Sequence, residues 1–252
     1  MKQRLLTSVS AIAVAAGTAW LMRYRRASRA ASAGDHSFVA PVHRGDADPS
    51  PGQADSAEIT RSFLLYFIVP LWTAAGVADW LCHRASHIEE TSGTKESLLH
   101  LAMLVEAGIP VLAGMFLEIN SWVFALMLAS FLLHEATALW DVAYAVTLRE
   151  VTPIEQHVHS FLELVPLMAI SLVAILHWPQ FLALFGRGRE KAEHRFAAKQ
   201  RPLPTGYVAG VTTALIGLEA VPYVEELLRG LAREQEAGRR RYGSSSCKCM
   251  HA

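Results

Sequence analysis

The stretch that decides the fold is residues 79–100, which read DWLCHRASHIEETSGTKESLLH. It places Asp79, His83, His87 and His100 in one short run, which begins inside one apolar segment and opens the next. Titratable side chains are costly inside a membrane-spanning helix and usually serve a function there. The stretch therefore predicts a connection between two membrane helices that carries part of a functional site.

The composition predicts an integral-membrane protein. The chain has 252 residues, of which 52% are hydrophobic and 18% charged, and its mean hydropathy is +0.25. An ordinary soluble domain is less apolar. The 23 basic residues balance the 23 acidic ones, so the net charge gives no reason to expect a nucleic-acid partner. Three cysteines cannot form a disulfide framework and leave the redox compartment open.

Four apolar segments follow one another with short connections, and each is long enough to cross a bilayer. They cover residues 62–82, 98–117, 122–145 and 161–185. Short links between consecutive helices make neighbours antiparallel. We therefore predict an all-α fold, an integral-membrane up-down four-helix bundle over residues 60–186.

The regions around this bundle differ from it in composition. Residues 5–22 are apolar and precede four arginines, which predicts a signal anchor over residues 1–31; a cleaved signal peptide and an Arg-rich transit peptide are the alternatives. Residues 32–59 have the composition of a flexible linker. Residues 187–235 are predicted to form a basic loop and a C-terminal amphipathic helix, and residues 236–252 a disordered tail. The basic clusters on both sides of the bundle are expected in the cytoplasm, which puts the 79–100 connection on the outer face.

Helical spacing places the titratable residues of the four segments on shared faces. Residues four apart lie on one face of a helix, and this spacing recurs near the same end of the predicted bundle. The sets are Asp79, His83 and His87; Glu96 and His100; Glu155, His159 and Glu163; with His134 and Asp141 seven apart in the third segment. Because these sets gather at one end of an antiparallel bundle, with Asp79, His134 and Glu163 in a deeper layer, they predict one polar site.

The donor types indicate a metal site. Imidazoles and carboxylates together suit iron, manganese or zinc, and the chain offers more of them than one tetrahedral zinc requires. We predict a dinuclear centre with two iron ions, with manganese or zinc as alternatives. The predicted ligands are Asp79, His83, His87, His100, His134, Asp141, Glu155, His159 and Glu163.

Structural roles compete with this interpretation. Thr152, Pro153 and Glu155 match a capping box with proline at the first helical position. Glu96 stands in a first helical turn, where it can simply complement the helix dipole, and Glu89 points away from the polar stripe and is expected to be solvated. A metal-free proton relay, or polar contacts that only specify the fold, are the alternatives for the whole set.

Two resemblances bear on function. The segment HRASH at residues 83–87 resembles the first His-x-x-x-His box of the membrane-bound fatty-acid hydroxylase and desaturase superfamily, whose members bind two irons at a four-helix membrane bundle. The chain lacks the later boxes with adjacent histidines. The runs ADWLCHR, ESLLHLAML, TPIEQHVHSFLE and LHWPQ look like a family of small bacterial integral-membrane proteins, some of which are labelled diguanylate cyclases. That label is rejected, because the chain contains neither the Gly-Gly-(Asp/Glu)-Glu-Phe signature nor a phosphate-binding glycine loop.

The predicted function is that of a multi-pass membrane metalloprotein of the bacterial inner membrane, acting as an oxidoreductase on a lipid-soluble small molecule and served by an electron donor. A metal or proton transporter that uses the same residues is the main alternative. A zinc hydrolase, a bis-histidine haem protein and a structural role are the others.

Overall fold

The computed structural model describes residues 51–248. The predicted signal anchor, residues 32–50 of the predicted linker and the last four residues lie outside this range. The described residues form helices joined by short connections, with one isolated antiparallel bridge between Leu117 and Ala198. The prediction of an all-α fold is therefore confirmed for this part of the chain.

Eight α-helices form most of the described residues. The helices are α1 (Pro51–Phe63), α2 (Val69–Ser86), α3 (Gly93–Phe116), α4 (Ser121–Ala145), α5 (Pro153–Leu176), α6 (Trp178–Leu184), α7 (Thr205–Ala214) and α8 (Val221–Lys248). A π-helical segment, Leu64–Ile68, joins α1 to α2 without a break, and a second one, Leu215–Ala220, joins α7 to α8. Each pair therefore forms one long helix.

Local sequence signals set the helix ends. The side chain of Asn120 accepts hydrogen bonds from the first backbone N–H groups of α4, as expected for an N-cap residue. Thr152 and Glu155 form the predicted capping box, with Pro153 in the first turn of α5. Helix α2 ends where His87 adopts a left-handed conformation with φ of 53°. A non-glycine residue in this region redirects the chain sharply, so the chain leaves the α2 axis at His87.

Five helices of the described residues are long and apolar enough to cross a membrane. Four of them correspond to the predicted segments, and the fifth is the continuous helix Thr205–Arg240. The sequence predicted a shorter amphipathic helix here, because Glu219 and Pro222 argue against a span. In the structure the Glu219 side chain is buried against α2, so its polarity is not exposed to the surroundings.

Two boundary predictions need correction. Residues 51–59, predicted as the end of the flexible linker, form most of α1. Residues 236–248, predicted as disordered tail, continue α8. Residues 232–241 consist mainly of alanine, glutamate, glutamine and arginine, which are strong helix formers. The helix therefore continues beyond its apolar part.

Apolar packing fills the rest of the interior. One cluster lies at the middle level of the helices and contains Ile68, Trp72, Ala107 and Val165. A second lies toward the ends of α3 and α5 and the start of α4; its members are Ala113, Ile119, Val123, Phe124, Met127, Ile170 and Ala174. Large apolar side chains on the outside, such as Leu132 and Leu139, are exposed, as expected for helices that face lipid.

Candidate metal centre

Two parallel imidazole rings form the middle of the candidate site. His83 near the end of α2 and His100 in α3 are both buried, and their rings stack 4.0 Å apart with planes 7° from parallel. The Glu226 carboxylate of α8 contacts both rings, with His83 Nδ1 at 3.1 Å and His100 Nδ1 at 2.7 Å. An ionised carboxylate only accepts hydrogen bonds, so both Nδ1 atoms donate. Each Nε2 atom is then left with its lone pair.

The Nε2 atom of His83 faces the carboxylates of two other positions. Asp79 Oδ2 lies 3.4 Å away and Glu155 Oε1 lies 3.7 Å away. The other oxygen of Asp79 lies 2.8 Å from His159 Nε2. Asp79, His83 and His159 thus offer donor atoms that all lie within 4.8 Å of one another.

The Nε2 atom of His100 has a matching environment. Asp141 Oδ2 lies at 3.4 Å and Glu96 Oε1 at 3.9 Å. Among the described residues, no group forms a hydrogen bond with the Nε2 atom of His83 or of His100. Buried polar atoms normally have a partner, so these two nitrogens point to a group that completes the site.

We call this set of eight side chains the polar layer. Its members are Asp79, His83, Glu96, His100, Asp141, Glu155, His159 and Glu226. All are buried except His159, which is partly buried. They come from α2, α3, α4, α5 and α8, so five helices contribute.

Arg149, from the connection between α4 and α5, closes the polar layer on one side. Its guanidinium donates to both Glu96 and Glu155, with Nε 3.1 Å from Glu96 Oε1 and Nη1 3.0 Å from Glu155 Oε2. Burial lowers the pKa of Arg149, but the hydrogen bonds to Glu155 and Glu96 outweigh burial and raise the pKa above its usual value. The group therefore stays charged.

The charge of the polar layer is unbalanced. It holds five carboxylates, those of Asp79, Glu96, Asp141, Glu155 and Glu226, against the single guanidinium of Arg149. With neutral imidazoles, four negative charges remain in a region shielded from water. Buried charge is strongly unfavourable unless it is paired, so the layer favours cations, either protons on the histidines or metal ions.

Helix α8 adds residues that the sequence analysis did not assign to the site. Tyr223 Oη donates to Asp79 Oδ2 and to the carbonyl of Gly76, each at 3.1 Å. Glu219, in the π-helical segment before α8, packs directly on Gly76 of α2. The sequence signal was available, because Glu219, Tyr223 and Glu226 are spaced four and three and share one helix face.

A small cavity of about 50 Å³ lies beside the polar layer. Its lining includes Asp79, His100, Asp141 and His159 together with apolar side chains, among them Leu104. A buried water needs at least about 10–15 Å³. The cavity therefore has room for a few waters or for a small diatomic molecule.

Two predicted ligands, His134 and Glu163, border this cavity but do not join the polar layer. His134 Nδ1 lies 3.2 Å from the carbonyl of Met103, and Glu163 is exposed. Close to His134, the Thr137 hydroxyl donates to Glu106 Oε1 at 2.9 Å. These residues form a separate polar group, one to two helical turns from Asp141 along α4.

His87 is not part of the polar layer, contrary to the predicted ligand set. Its side chain is 67% exposed and contacts Glu89 at 3.4 Å. The physical reason is the left-handed residue at the end of α2, which breaks the four-residue spacing after His83. The expectation for Glu89 is also wrong, because its side chain is only 6% exposed and pairs with Arg229 at 3.0 Å.

The remaining predicted ligands come together. Asp79, His83, His100, Asp141, Glu155 and His159 all belong to the polar layer. Glu155 also keeps its capping role, and Glu96, for which the helix dipole was the competing interpretation, is fully buried beside His100. The sequence missed Arg149 because it lies in a connection, where helical spacing gives no information.

Comparisons of the chain with known protein families, with curated proteins and with solved structures return no match. The resemblances carried by residues 83–87 and by the four quoted runs therefore stay predictions.

Proposed function

We propose that the polar layer is a dinuclear metal centre of a multi-pass membrane protein. The single observation that carries the proposal is the pair of Nε2 atoms on His83 and His100. Each lies on a ring whose Nδ1 donates to a carboxylate, and each faces further carboxylates. Metal-bound histidines almost always have this carboxylate partner on the other ring nitrogen, because it fixes the tautomer and the ring orientation.

The spacing of the donor atoms suits metal ions. Two donors bound to one ion through bonds of about 2.1 Å lie about 3 to 3.4 Å apart. The distances from His83 Nε2 to Asp79 and from His100 Nε2 to Asp141 are both 3.4 Å. We assign His83, Asp79, Glu155 and His159 to one half of the centre, and His100, Asp141 and Glu96 to the other. Two divalent ions would offset the four uncompensated negative charges.

The donor chemistry favours iron, with manganese and zinc as the alternatives. The set contains imidazole nitrogens and carboxylate oxygens and no cysteine thiolate, which suits borderline and hard cations. Carboxylate-rich di-iron and di-manganese sites are typical of helix bundles with inward Glu and His residues. We therefore propose two iron ions.

We further propose that the protein is an oxidoreductase of the hydroxylase or desaturase type, acting on a lipid-soluble molecule. Bound iron would supply the dioxygen chemistry. The chain would orient the imidazoles through Glu226, hold the carboxylates in place through Arg149 and keep bulk water away by burial. The cavity beside His100 and Asp141 is large enough for dioxygen or for the end of an apolar chain. An electron donor would have to be a second protein or a small reductant.

A resident metal explains the geometry better than transport does. A transported ion needs a polar path through the membrane. Between the polar layer and the opposite end of the helices lies the apolar cluster of Ile68, Trp72, Ala107 and Val165. This cluster would obstruct such a path. We propose a bacterial inner membrane as the location of the protein. The continuous helix Thr205–Arg240 brings Arg239 and Arg240 to the end that bears the polar layer, so basic residues flank both ends and the positive-inside rule favours neither end for the cytoplasm.

Metal analysis of the full chain, purified in detergent from cells supplied with iron, manganese and zinc, tests the proposal. We expect about two ions per chain, with iron preferred. Mössbauer spectroscopy should then show two coupled iron sites. Less than about one ion per chain after supplementation would overturn the dinuclear centre.

Histidine variants make the test specific. Replacing His83→Ala or His100→Ala should remove most of the bound metal, whereas His87→Ala should leave it unchanged because that side chain is exposed. A melting curve of each variant separates metal loss from unfolding. Equal metal content in all three variants would contradict the assignment.

The reaction class needs a separate test. The reduced, iron-loaded protein is supplied with dioxygen and a bacterial lipid extract, and the lipids are compared by mass spectrometry. We expect products that have gained one oxygen atom or lost two hydrogen atoms, and none with His83→Ala. A loaded protein that consumes no dioxygen with any lipid fraction would overturn the oxidoreductase proposal and leave the metal centre intact.

A further inference from the structure

The end of the molecule opposite the polar layer contains a much larger cavity, of about 1040 Å³. It lies between the end of α1 and the start of α2, the C-terminal parts of α3 and α5, the start of α4 and the segment after α6. Ligand cavities in proteins typically measure about 300–1,000 Å³. This cavity is therefore large enough for part of a lipid.

Its inner wall is apolar. Val111, Met127, Ile170 and Val173 line it, and Met127 and Ile170 also belong to the apolar cluster at this end of the helices. Since the apolar groups belong to helices that are long enough to span the membrane, this wall faces the same depth as lipid chains. It suits an acyl chain.

The mouth of the cavity is basic. Arg61 lies in the last turn of α1, and Lys199 and Arg201 lie in the basic segment after α6; all three line the cavity. Among the described residues, no carboxylate lies within ion-pair distance of any of these three side chains. Two acidic residues also line the cavity: Glu118 accepts a hydrogen bond from the Gln200 backbone N–H, and Glu193 pairs with Arg195 at 3.6 Å. The mouth therefore carries excess positive charge.

Lys199 is held in a fixed position. Its Nζ donates to the carbonyls of Gly114 at 2.6 Å and Leu117 at 3.0 Å, and its backbone N–H donates to Phe116. An ammonium group has three donors, so one is left for a ligand. Burial lowers the pKa of Lys199; Glu118 opposes this shift and Arg61 adds to it. A negative group in the cavity would offset the cost of burying the ammonium group and its repulsion from Arg61.

We propose that this cavity binds an anionic phospholipid, with the phosphate at Arg61, Lys199 and Arg201 and one acyl chain against the inner wall. Basic pockets between membrane helices are suited to such headgroups. Charge complementarity argues against the N-terminal apolar run as the occupant, because Arg23, Arg25, Arg26 and Arg29 follow it directly. The site is distinct from the polar layer and does not depend on its metal.

Native mass spectrometry of the full chain tests the proposal. The protein is delipidated in detergent and mixed with phosphatidylglycerol or phosphatidylcholine of the same acyl composition. We expect phosphatidylglycerol to be retained about tenfold better, because both lipids carry the phosphate but the basic mouth repels the choline cation of phosphatidylcholine; a tenfold ratio corresponds to about 1.4 kcal/mol. Equal retention of the two lipids would overturn the proposal.

Variants locate the site. The double variant Arg61→Gln/Lys199→Gln should lose the preference, whereas Arg187→Gln, an exposed basic residue of the same region that does not line the cavity, should keep it. Val173→Trp fills the apolar wall without changing charge and should also reduce retention; it decides the question if the double variant does not fold. A preference that survives both changes would contradict the site.

Two controls distinguish lipid binding from a simple anion site and from an indirect effect on the metal centre. Inorganic phosphate at millimolar concentration should not displace phosphatidylglycerol; displacement would indicate a simple anion site and overturn the lipid proposal. The metal content of the Val173→Trp variant should equal that of the original protein, because the apolar cluster around Trp72 separates the two regions.

Discussion

The two ends of the helices differ in the sign and the packing of their charged side chains. At the polar layer, acidic side chains outnumber basic ones, and nearly every group contacts another across helices. At the large cavity, Arg61, Lys199 and Arg201 surround space that no side chain of residues 51–248 fills. In the polar layer, removing one side chain leaves its partners buried without a hydrogen-bond or ion-pair partner. At the large cavity the three cations border open space, so they can be replaced with less effect on the fold.

The largest expected effect is at Arg149. The change Arg149→Met leaves Glu96 and Glu155 buried without their cation, and breaking a buried ion pair costs about 3–5 kcal/mol. Unfolding in detergent with increasing denaturant measures the loss. Arg187→Met, exposed at the other end, is the matched control and should stay within about 0.5 kcal/mol of the original protein. Similar stabilities for the two variants would remove the contrast between the ends.

The contact between α2 and the π-helical segment gives the next effect. A Cβ on Gly76 would lie 2.8 Å from Glu219 Cδ and closer to a carboxylate oxygen, so Gly76→Ala should destabilise by about 1–3 kcal/mol. The second change Glu219→Ala should recover most of this loss in a double-mutant cycle. Gly108→Ala, which has no neighbour within 4 Å, is the control. Additive effects of Gly76→Ala and Glu219→Ala would contradict the contact.

Two tyrosines allow a direct comparison of the ends. Tyr223 Oη donates to Asp79 Oδ2 and the Gly76 carbonyl, whereas Tyr207 Oη donates to the Leu65 carbonyl at 2.9 Å. Hydrogen bonds to charged groups contribute about 1.5–3 kcal/mol and neutral ones about 1 kcal/mol. We therefore expect Tyr223→Phe to lower the free energy of unfolding more than Tyr207→Phe does, as measured by denaturant melts. The reverse order would show that the Tyr223 bonds add little to the polar layer.

The smallest effect is a pH slope from Lys199. Its pKa in the folded protein lies below the usual 10.5, so between these two values the unfolded chain binds more protons and stability rises with pH. Lys199→Met should flatten the rise of the melting temperature with pH in the range just below 10.5, relative to the original protein. Exposed Lys191→Met serves as the control. A slope unchanged by Lys199→Met would indicate that its ammonium is well solvated.

Much of the fold follows from the sequence because its signals are local. Apolar length located the helices that lie within 62–185, and the capping box of Thr152 and Glu155 marks a real helix start. Four-residue spacing placed Asp79 with His83, and Glu155 with His159, on shared faces. Each of these features depends on residues within one or two helical turns.

The composition of the polar layer depended on tertiary structure. The left-handed residue His87 removed one predicted ligand, although the sequence spacing treats it like His83. Glu226 lies 143 residues from His83 and 126 from His100, yet it orients both rings. Arg149 enters from a connection that has no periodic pattern. A single sequence encodes such long-range contacts only through the packing of whole helices.

The sequence by itself determined that the chain forms apolar helices and that its histidines and carboxylates crowd toward one end. Only the tertiary structure decided which of them share buried space, because that choice depends on how α8 and the Arg149 connection pack against α2 and α3. The large basic cavity has the same origin, since its lining comes from many separate parts of the chain between Arg61 and Val211. Spacing along a helix sets the face of a side chain, and packing between helices sets its partner.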